Sequence, residues 1–500
     1  MRGNWLSDDE FSSDNLPPSF DPMEVPRVRR RSAVFADEGI EPEPVEQPTA
    51  APVATPQWAQ FLILAGAVTA VGVLVTGFVN GHSETQIAGV VMIVLSAISA
   101  VGIRMVSADT HHGEYQILLA GLATKLIASL VRYWIAFSGT LYSRSDAKTY
   151  DDDGRRIAKE FLSQGHLPPF HSYTGSNFLR LLTGGLYTII PPSTLAAFFV
   201  FGWFSFWGYV MFWRAMRRIV TPPEDRLYLI LLMVMPSIVY WPSSLGKESV
   251  VIFALGMASL GYARSCTGSP LSGGVLTLAG IALCTFVRPH VAIVIVVGIA
   301  VASLLQKRAS GTIVNTVLTI VLLVPAGYFA VHQASSYFHG NVTSSAGVTN
   351  QLDAAGKRTA QGGSQCLDCE AVTPANPANF PYAALTVLVR PFPWESPSIQ
   401  EFATSIESMF IAFLLIKNGR RALGQLRRDN PYAIFALVNL VVFIVLFSNF
   451  NNFGILARQR TQIAPFLFLF LALPERKRTT RSKYDVKGWD TDAFDAPIPT

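Results

Sequence analysis

Long apolar blocks that recur along the chain are the feature that most constrains its fold. They run to about 17–24 residues, the length that an α-helix needs to cross the hydrocarbon core of a bilayer. Half of the 500 residues are hydrophobic and only 15% are charged, a balance that excludes an ordinary soluble protein of this length. The sequence therefore predicts an all-α polytopic membrane protein with about twelve transmembrane helices.

The apolar blocks also predict the domain organisation. We place spans at about 58–80, 86–106, 115–138, 193–216, 226–242, 248–264, 272–288, 290–306, 312–332, 404–418, 432–449 and 459–473. A tight re-entrant corner at Pro289 is the alternative to two full spans there. Residues 1–56 are rich in Pro, Glu and Ala, which predicts a disordered tail, and 476–500 form a second tail. Residues 57–475 then form the membrane domain.

Basic residues in the short connections predict the orientation. RVRRR (27–31), RAMRR (214–218) and PERKRTTRSK (474–483) fall on one side when twelve spans are counted. Lys and Arg concentrate in cytoplasmic loops, so we expect a multi-pass plasma membrane protein with both termini in the cytoplasm. This placement of the basic runs also explains the net charge of +5 without a nucleic-acid partner.

Two long loops, at about 139–192 and 333–403, lie outside in this topology. The stretch 177–190 in the first loop is apolar but short, which predicts an interfacial helix on the outer leaflet. The second loop carries Cys366 and Cys369 as a CLDC pair. A redox motif and half a zinc site are alternatives, but we expect a small structural disulfide.

An acidic run follows the third span, in the first external loop. It consists of Asp146, Asp151, Asp152 and Asp153. A carboxylate at the membrane surface can act as a general base towards an attacking hydroxyl. Several carboxylates together can bind a divalent cation, for which Asp151 and Asp152 are the candidates. The alternative is a solvated acidic loop, and a metal requirement is open at this point.

Cations cluster at the predicted outer ends of spans, against the usual bias. They are Lys247, Arg288, Arg458 and Arg460, with Glu248 and His290 beside them. Arg offers a planar fork to a phosphate ester and Lys a point charge, so we expect a subset to bind an anion. Snorkelling to lipid head groups is the alternative. Glu248 is expected to pair with Lys247 or Arg288 and to orient them.

Two further groups of residues carry weaker signals. Trp394 beside Glu395 indicates stacking on a sugar ring, with an interfacial aromatic belt as the alternative. Lys125 and Arg132 lie at i, i+7 in the third span. They are the main intramembrane charges that a transporter would use, and otherwise we expect them to line a helix interface or to bind a lipid head group.

Several motifs resemble known membrane enzymes over about residues 130–475. DAKTYDDDGRRIA (146–158) is similar to the acidic external loop of GT-C-class glycosyltransferases, in which an Asp is followed by a Tyr. WPSSLGKES, VRPH and NNFGILARQRTQIAPF look like segments of bacterial exopolysaccharide-cluster membrane proteins, and the last resembles repeat-unit polymerases. Two additional spans precede the acidic loop here, and no large soluble external domain follows the membrane core.

The resemblance implies a GT-C-like fold and an inverting glycosyltransferase. Its donor would be a polyprenyl-phosphate-linked sugar and its acceptor a glycan or lipid of the cell envelope. Asp146, followed by Tyr150, would be the catalytic base, with Asp153 in reserve. Lys247 would hold the donor phosphate, Glu248 would fix Lys247, and Gly246 would let the backbone turn. The alternatives are a polymerase of polyprenyl-pyrophosphate-linked repeat units and a transporter of lipid-linked saccharides.

Overall fold

A computed structural model of the chain defines its fold. It describes residues 56–108, 112–137, 145–167, 172–219, 226–305, 312–338, 344–360, 365–366, 369–372, 376–396, 398–426 and 430–472. Both predicted tails, apart from Pro56, lie outside the described residues, as do the basic runs RVRRR and PERKRTTRSK.

The described part of the chain is helical and contains no β-strand. Its α-helices are α1 (Gln57–Val79), α2 (Ser83–Val106), α3 (His112–Phe137), α4 (Asp146–Gln164), α5 (Ser176–Ile189), α6 (Thr194–Arg217), α7 (Arg226–Val234), α8 (Pro236–Tyr240), α9 (Lys247–Cys266), α10 (Pro270–Val287), α11 (Pro289–Leu305), α12 (Thr312–Phe338), α13 (Ser345–Thr359), α14 (Phe380–Val389), α15 (Ile399–Leu426), α16 (Pro431–Phe447) and α17 (Phe453–Ala472).

Six of these helices are long and apolar enough to cross a membrane. They are α1, α2, α3, α6, α9 and α10. Helices α11 and α16 are apolar but shorter. The chain is therefore an all-helical protein with several candidate membrane spans, as the sequence predicts. The number of twelve spans stays a prediction.

Eleven of the twelve predicted segments coincide with single helices, and one does not. The segment 226–242 is divided into α7 and α8 at Met235. Pro236 has no N–H to donate, and its ring disfavours a helical conformation at the preceding residue, so Met235 is extended (φ −60°, ψ 127°). Pro289 likewise follows a break, since Arg288 separates α10 from α11 with non-helical backbone angles (φ −146°, ψ 84°).

The two predicted external loops contain helices of their own. The first holds α4 and α5, and α5 coincides with the predicted interfacial helix. The second holds α13 and α14. Helix α4 begins at the acidic run because Ser145 caps it, its hydroxyl accepting from the N–H of Ala147 at 3.3 Å. The acidic residues therefore lie on a helix rather than in a solvated loop.

Helices α6 and α9 pack against each other at the centre of the core. Two glycines let their backbones touch: a Cβ on Gly256 would lie 2.3 Å from the carbonyl oxygen of Gly208, and a Cβ on Gly208 would lie 2.6 Å from that of Ile252. Large side chains of α6, including Tyr209 and Trp213, are fully buried around this contact. Helices α1 and α2 lie at the periphery, with most of their apolar surface exposed.

Two buried charges hold the break between α7 and α8. The ammonium group of Lys125, on α3, donates to the carbonyl oxygen of Ile238. The Oε2 of Glu407, on α15, accepts from the N–H and the hydroxyl of Ser237 at 2.7 and 2.6 Å. Buried backbone groups freed by a break in a helix need partners, and here charged side chains supply them. Lys125 therefore lies at a helix interface, one of the two places expected for it.

We predict that Gly256→Ala destabilises the protein. The added methyl group would collide with the backbone of Gly208, so α6 and α9 would have to separate. Overpacking of this kind costs about 1–3 kcal/mol, which we expect as a lower apparent melting temperature in detergent. Gly72→Ala is the matched control, because nothing lies within 4 Å of a Cβ at that helical position. Equal melting temperatures for the two variants would contradict the close contact.

Candidate functional site

A cavity of about 130 Å³ lies where the ends of several helices meet. The site cavity is lined by Arg132, Ile135 and Ala136 of α3, Ser145, Asp146 and Ala147 at the start of α4, Phe198 of α6, Trp241 and 244–246 between α8 and α9, and Arg458 of α17. One part of this wall is apolar, and another carries two guanidinium groups and a carboxylate. The cavity therefore fits a ligand with an apolar part and an anionic part.

Asp146 reaches the site cavity from the first turn of α4. Its side chain is exposed, and no ion pair to it is formed within the described part of the chain. It lies within electrostatic range of both Lys247 and Arg458. The structure thus brings the carboxylate that the sequence analysis named as base next to two of the cations named as phosphate ligands.

Glu248 joins two of the predicted cations. It is 1% exposed, and its Oε1 accepts from Arg288 while its Oε2 accepts from Arg458 at 2.7 Å. These three residues come from the start of α9, the α10–α11 junction and α17. Two positive charges share one negative charge, so the triad keeps a net positive charge beside the cavity.

The two arginines of this triad play different parts. The Arg288 side chain is 8% exposed and also donates to the amide oxygen of Gln459, so it supports the triad from within the protein. The Arg458 side chain is 32% exposed and lines the site cavity. Arg458 is therefore the member of the triad that a ligand in the cavity would meet.

Lys247 is not held by Glu248 in the way the sequence analysis expected. Adjacent residues of a helix point in different directions, and Glu248 binds the arginines, while the Lys247 ammonium group lies 5.9 Å from the ring centre of Tyr337. Gly246 is not needed for a turn either. Its backbone is extended (φ −172°, ψ 171°), a conformation that any residue adopts.

The loop before α9 is buried and bonds to itself. The Ser249 hydroxyl donates to the carbonyl oxygens of Ser244 and Gly246 at 2.8 and 2.9 Å. The Ser244 hydroxyl donates to that of Trp241 at 3.3 Å. These bonds give buried backbone carbonyl groups hydrogen-bond donors within the protein.

The other acidic residues of α4 are engaged away from the cavity. Asp153 lies between Arg156 and Arg180, at 2.9 Å from each. Asp151 is buried and accepts from Arg155 and Thr194, each at 2.9 Å, and from the phenol of Tyr187. These carboxylates therefore fix α4 against α5 and α6. Asp152 is exposed.

Two tyrosines tie α4 to its neighbours as neutral phenols. Burial, and then the negative charge of Asp151, raises the pKa of Tyr187. Burial also raises the pKa of Tyr150, whose hydroxyl lies 3.4 Å from that of Ser176. Tyr150 is in electrostatic range of Asp146, so it stands next to the site without lining it.

Four predicted site residues lie elsewhere in the protein. Arg460 donates to the carbonyl oxygen of Val387 at 2.9 Å, to the Ser408 hydroxyl at 2.8 Å and to the Arg390 carbonyl oxygen, so it joins α14, α15 and α17. Glu395 pairs with Arg390 at 2.5 Å. Trp394 is 77% exposed and stacks on Phe392, and His290 packs near Tyr337 and Phe447. None of the four lines the site cavity.

The cysteine pair lies beside the segment that leads into α17. Cys366 and Cys369 form a disulfide. The N–H of Cys366 donates to the carbonyl oxygen of Asn451 at 3.0 Å, two residues before α17 begins. Throughout the described ranges, no three His, Cys, Asp or Glu side chains are grouped to hold a metal ion.

One charged residue of the cavity wall, Arg132, was not named as a site residue from the sequence. Arg132 was expected at a helix interface or on a lipid head group, and it lines the cavity opposite the acidic start of α4. Its spacing of seven residues from Lys125 was the available signal. Both side chains face the segment 238–241, but only the fold shows that this segment borders a cavity.

Comparison of the chain with family models, curated proteins and solved structures gives no match. The functional inference therefore rests on the geometry of the site cavity and on the motifs that line it.

We predict that Glu248→Gln lowers the stability of the protein markedly. The change removes the negative charge between two arginines and leaves them facing each other in a buried site, a loss on the scale of about 3–5 kcal/mol. Thermal unfolding of the purified protein measures it. Glu160→Gln is the control, because that carboxylate is 3.9 Å from Arg156 at the surface. An unchanged melting temperature for Glu248→Gln would show that the triad does not hold the helices together.

Proposed function

We propose that the protein transfers a sugar from a polyprenyl-phosphate-linked donor to a glycan or lipid acceptor of the cell envelope. The observation that carries this proposal is the meeting of Asp146 and Arg458 in one cavity at the ends of membrane-embedded helices. A carboxylate that accepts a proton and a cation that stabilises a departing phosphate are the two groups that glycosyl transfer from a lipid phosphate needs.

The proposed step balances without a further reactant. The hydroxyl oxygen of the acceptor attacks the anomeric carbon of the donor, and its proton passes to the carboxylate of Asp146. The bond from the anomeric carbon to the phosphate oxygen breaks, and the electron pair stays on the phosphate. Arg458 and Lys247 interact with the growing negative charge. Attack from the face opposite the leaving phosphate inverts the anomeric carbon.

A GT-C-like arrangement with twelve spans belongs to this proposal, as does a site on the outer face with both termini in the cytoplasm. The motif resemblance and the basic connections support it. Asp146 lines the same cavity as Arg132 and Arg458, which supports the assignment of this residue, rather than Asp153, as the base. The carboxylate of Asp153 is neutralised by two arginines and lies away from the cavity.

A polymerase of pyrophosphate-linked repeat units is the second candidate. Arg132 and Arg458 both line the cavity, and two guanidinium groups suit a diphosphate as well as a monophosphate. The two functions differ in the donor, so an assay that supplies both donors distinguishes them. Purified protein in lipid vesicles would be given labelled polyprenyl-phosphate sugars and polyprenyl-pyrophosphate oligosaccharides, and the released lipid phosphate measured.

We predict that Asp146→Asn abolishes sugar transfer while the protein still folds. The amide cannot accept the proton of the acceptor hydroxyl, and general base catalysis contributes about 10²–10⁴-fold to a rate. Because Asp146 is exposed and unpaired among the described residues, stability should not change. The measurement is the initial rate of lipid-phosphate release, with the melting temperature as the folding check.

Asp153→Asn is the informative comparison. It breaks surface ion pairs and should leave the rate within a few-fold of the unmodified protein. Full activity of Asp146→Asn together with loss of activity in Asp153→Asn would refute the assignment of the base. Release of neither lipid phosphate by the unmodified protein would refute the proposed function and favour a transporter.

A further inference from the structure

Arg132 occupies an unusual place in the wall of the site cavity. It lies near the end of α3, one of the candidate spans, and its guanidinium group makes cation–π contacts with two aromatic rings. The guanidinium carbon is 4.6 Å from the ring centre of Tyr240 and 5.2 Å from that of Trp241. The two rings meet edge to face with centres 5.2 Å apart, and they form a shelf under the guanidinium group.

No carboxylate of the described residues forms an ion pair with Arg132, and the Nε of this arginine is buried without an acceptor there. The neighbouring cations Arg288 and Arg458 share Glu248. A buried, charged donor without a partner is costly, and the aromatic shelf offsets only part of that cost. This pattern indicates that an anionic ligand supplies the missing acceptors.

Arg132 brings a planar fork of N–H donors to the wall of the site cavity. A phosphate accepts two parallel N–H bonds from such a fork. A lysine on the same rings would present one point charge and no fork, so the residue type fits an oxyanion that is bound in a fixed orientation.

The wall next to Arg132 selects an amphipathic ligand. Ile135 and Ala136 follow Arg132 on α3, and Phe198 of α6 completes an apolar side of the cavity. Arg458 and Asp146 lie on the polar side. A free inorganic anion would leave the apolar side empty. The phosphate ester of a lipid would place its chain there and its head between Arg132 and Arg458.

We propose that Arg132 is the residue that anchors the phosphate group of a membrane lipid in the site cavity, with Arg458 as its counterpart. This inference rests on the proposed function for the identity of the lipid, but it concerns binding alone and can be tested without turnover.

The test measures binding of geranylgeranyl phosphate to the full chain in nanodiscs of zwitterionic lipid. Geranylgeraniol, which lacks the phosphate, and inorganic phosphate are the companion probes. We expect Arg132→Gln to weaken the binding of geranylgeranyl phosphate by about 10-fold or more, because a charged hydrogen bond is lost. Geranylgeraniol should bind the variant and the unmodified protein equally. Arg132→Lys should bind the phosphate with intermediate affinity.

Arg156→Gln is the matched control, because Arg156 is an exposed arginine of α4 that pairs with Asp153. It should leave all affinities unchanged. Equal affinity of Arg132→Gln and the unmodified protein for geranylgeranyl phosphate would overturn the inference. An equal loss of affinity for geranylgeranyl phosphate and geranylgeraniol would also overturn it, because Arg132 would then only stabilise the fold. Inorganic phosphate binding as tightly as the lipid phosphate would overturn the lipid assignment.

The same measurements separate this inference from the proposed function. Arg132→Gln could lose affinity for geranylgeranyl phosphate but not for geranylgeraniol, while the unmodified protein transfers no sugar. In that case the phosphate site stands and the transferase proposal fails. If sugar is transferred and Arg132→Gln keeps its affinity, the transferase stands and the inference about Arg132 fails.

Discussion

The site depends on one buried carboxylate that holds two arginines. Glu248 is almost fully enclosed, and it binds Arg288 at the junction of α10 and α11 and Arg458 on α17. A single buried charge would be very costly in this environment, so each member of the triad needs the others. The consequence is geometric: three separate parts of the chain are fixed at one end of the helix bundle. The cavity exists because these helix ends are held there.

A second pair of buried charges supports α8, the short helix that leads into the cavity wall. Lys125 and Glu407 bind backbone groups of Ile238 and Ser237, both within the short helix α8. Without them, the interruption caused by Pro236 would leave polar backbone groups unsatisfied inside the bundle. These contacts fix the position of α8, and therefore also the position of Trp241 and the serine-containing loop that follows. This loop forms one wall of the cavity.

The charges that face the cavity differ from those that build it. Glu248, Arg288, Asp151 and Arg460 are consumed by contacts within the protein, whereas Asp146 and Arg132 have no ionic partner among the described residues. A charge that is enclosed in contacts within the protein cannot reach a ligand, whereas Asp146, Arg132 and the partly exposed Arg458 line the cavity. This contrast is the physical reason to assign base and anion-binding roles to the second group.

The sequence by itself determined the helical character with its candidate membrane spans, the positions of the long apolar helices and of α5, and the pool of charged residues from which a site is drawn. These follow from apolar length and local propensity. It also named Asp146, through the acidic run and the motif resemblance, and Arg458, through its place at a predicted span end. Only the tertiary structure decided which charges meet. Arg460 lies two residues after Arg458 on the same helix, yet it points to the carbonyl oxygens of α14 and its neighbours. From the sequence, Arg132 was expected at a helix interface or on a lipid head group. The structure places it against Tyr240 and Trp241, at the end of α8 and in the cavity wall. Partner choice depends on long-range packing, and a charge pattern along one chain does not contain that packing.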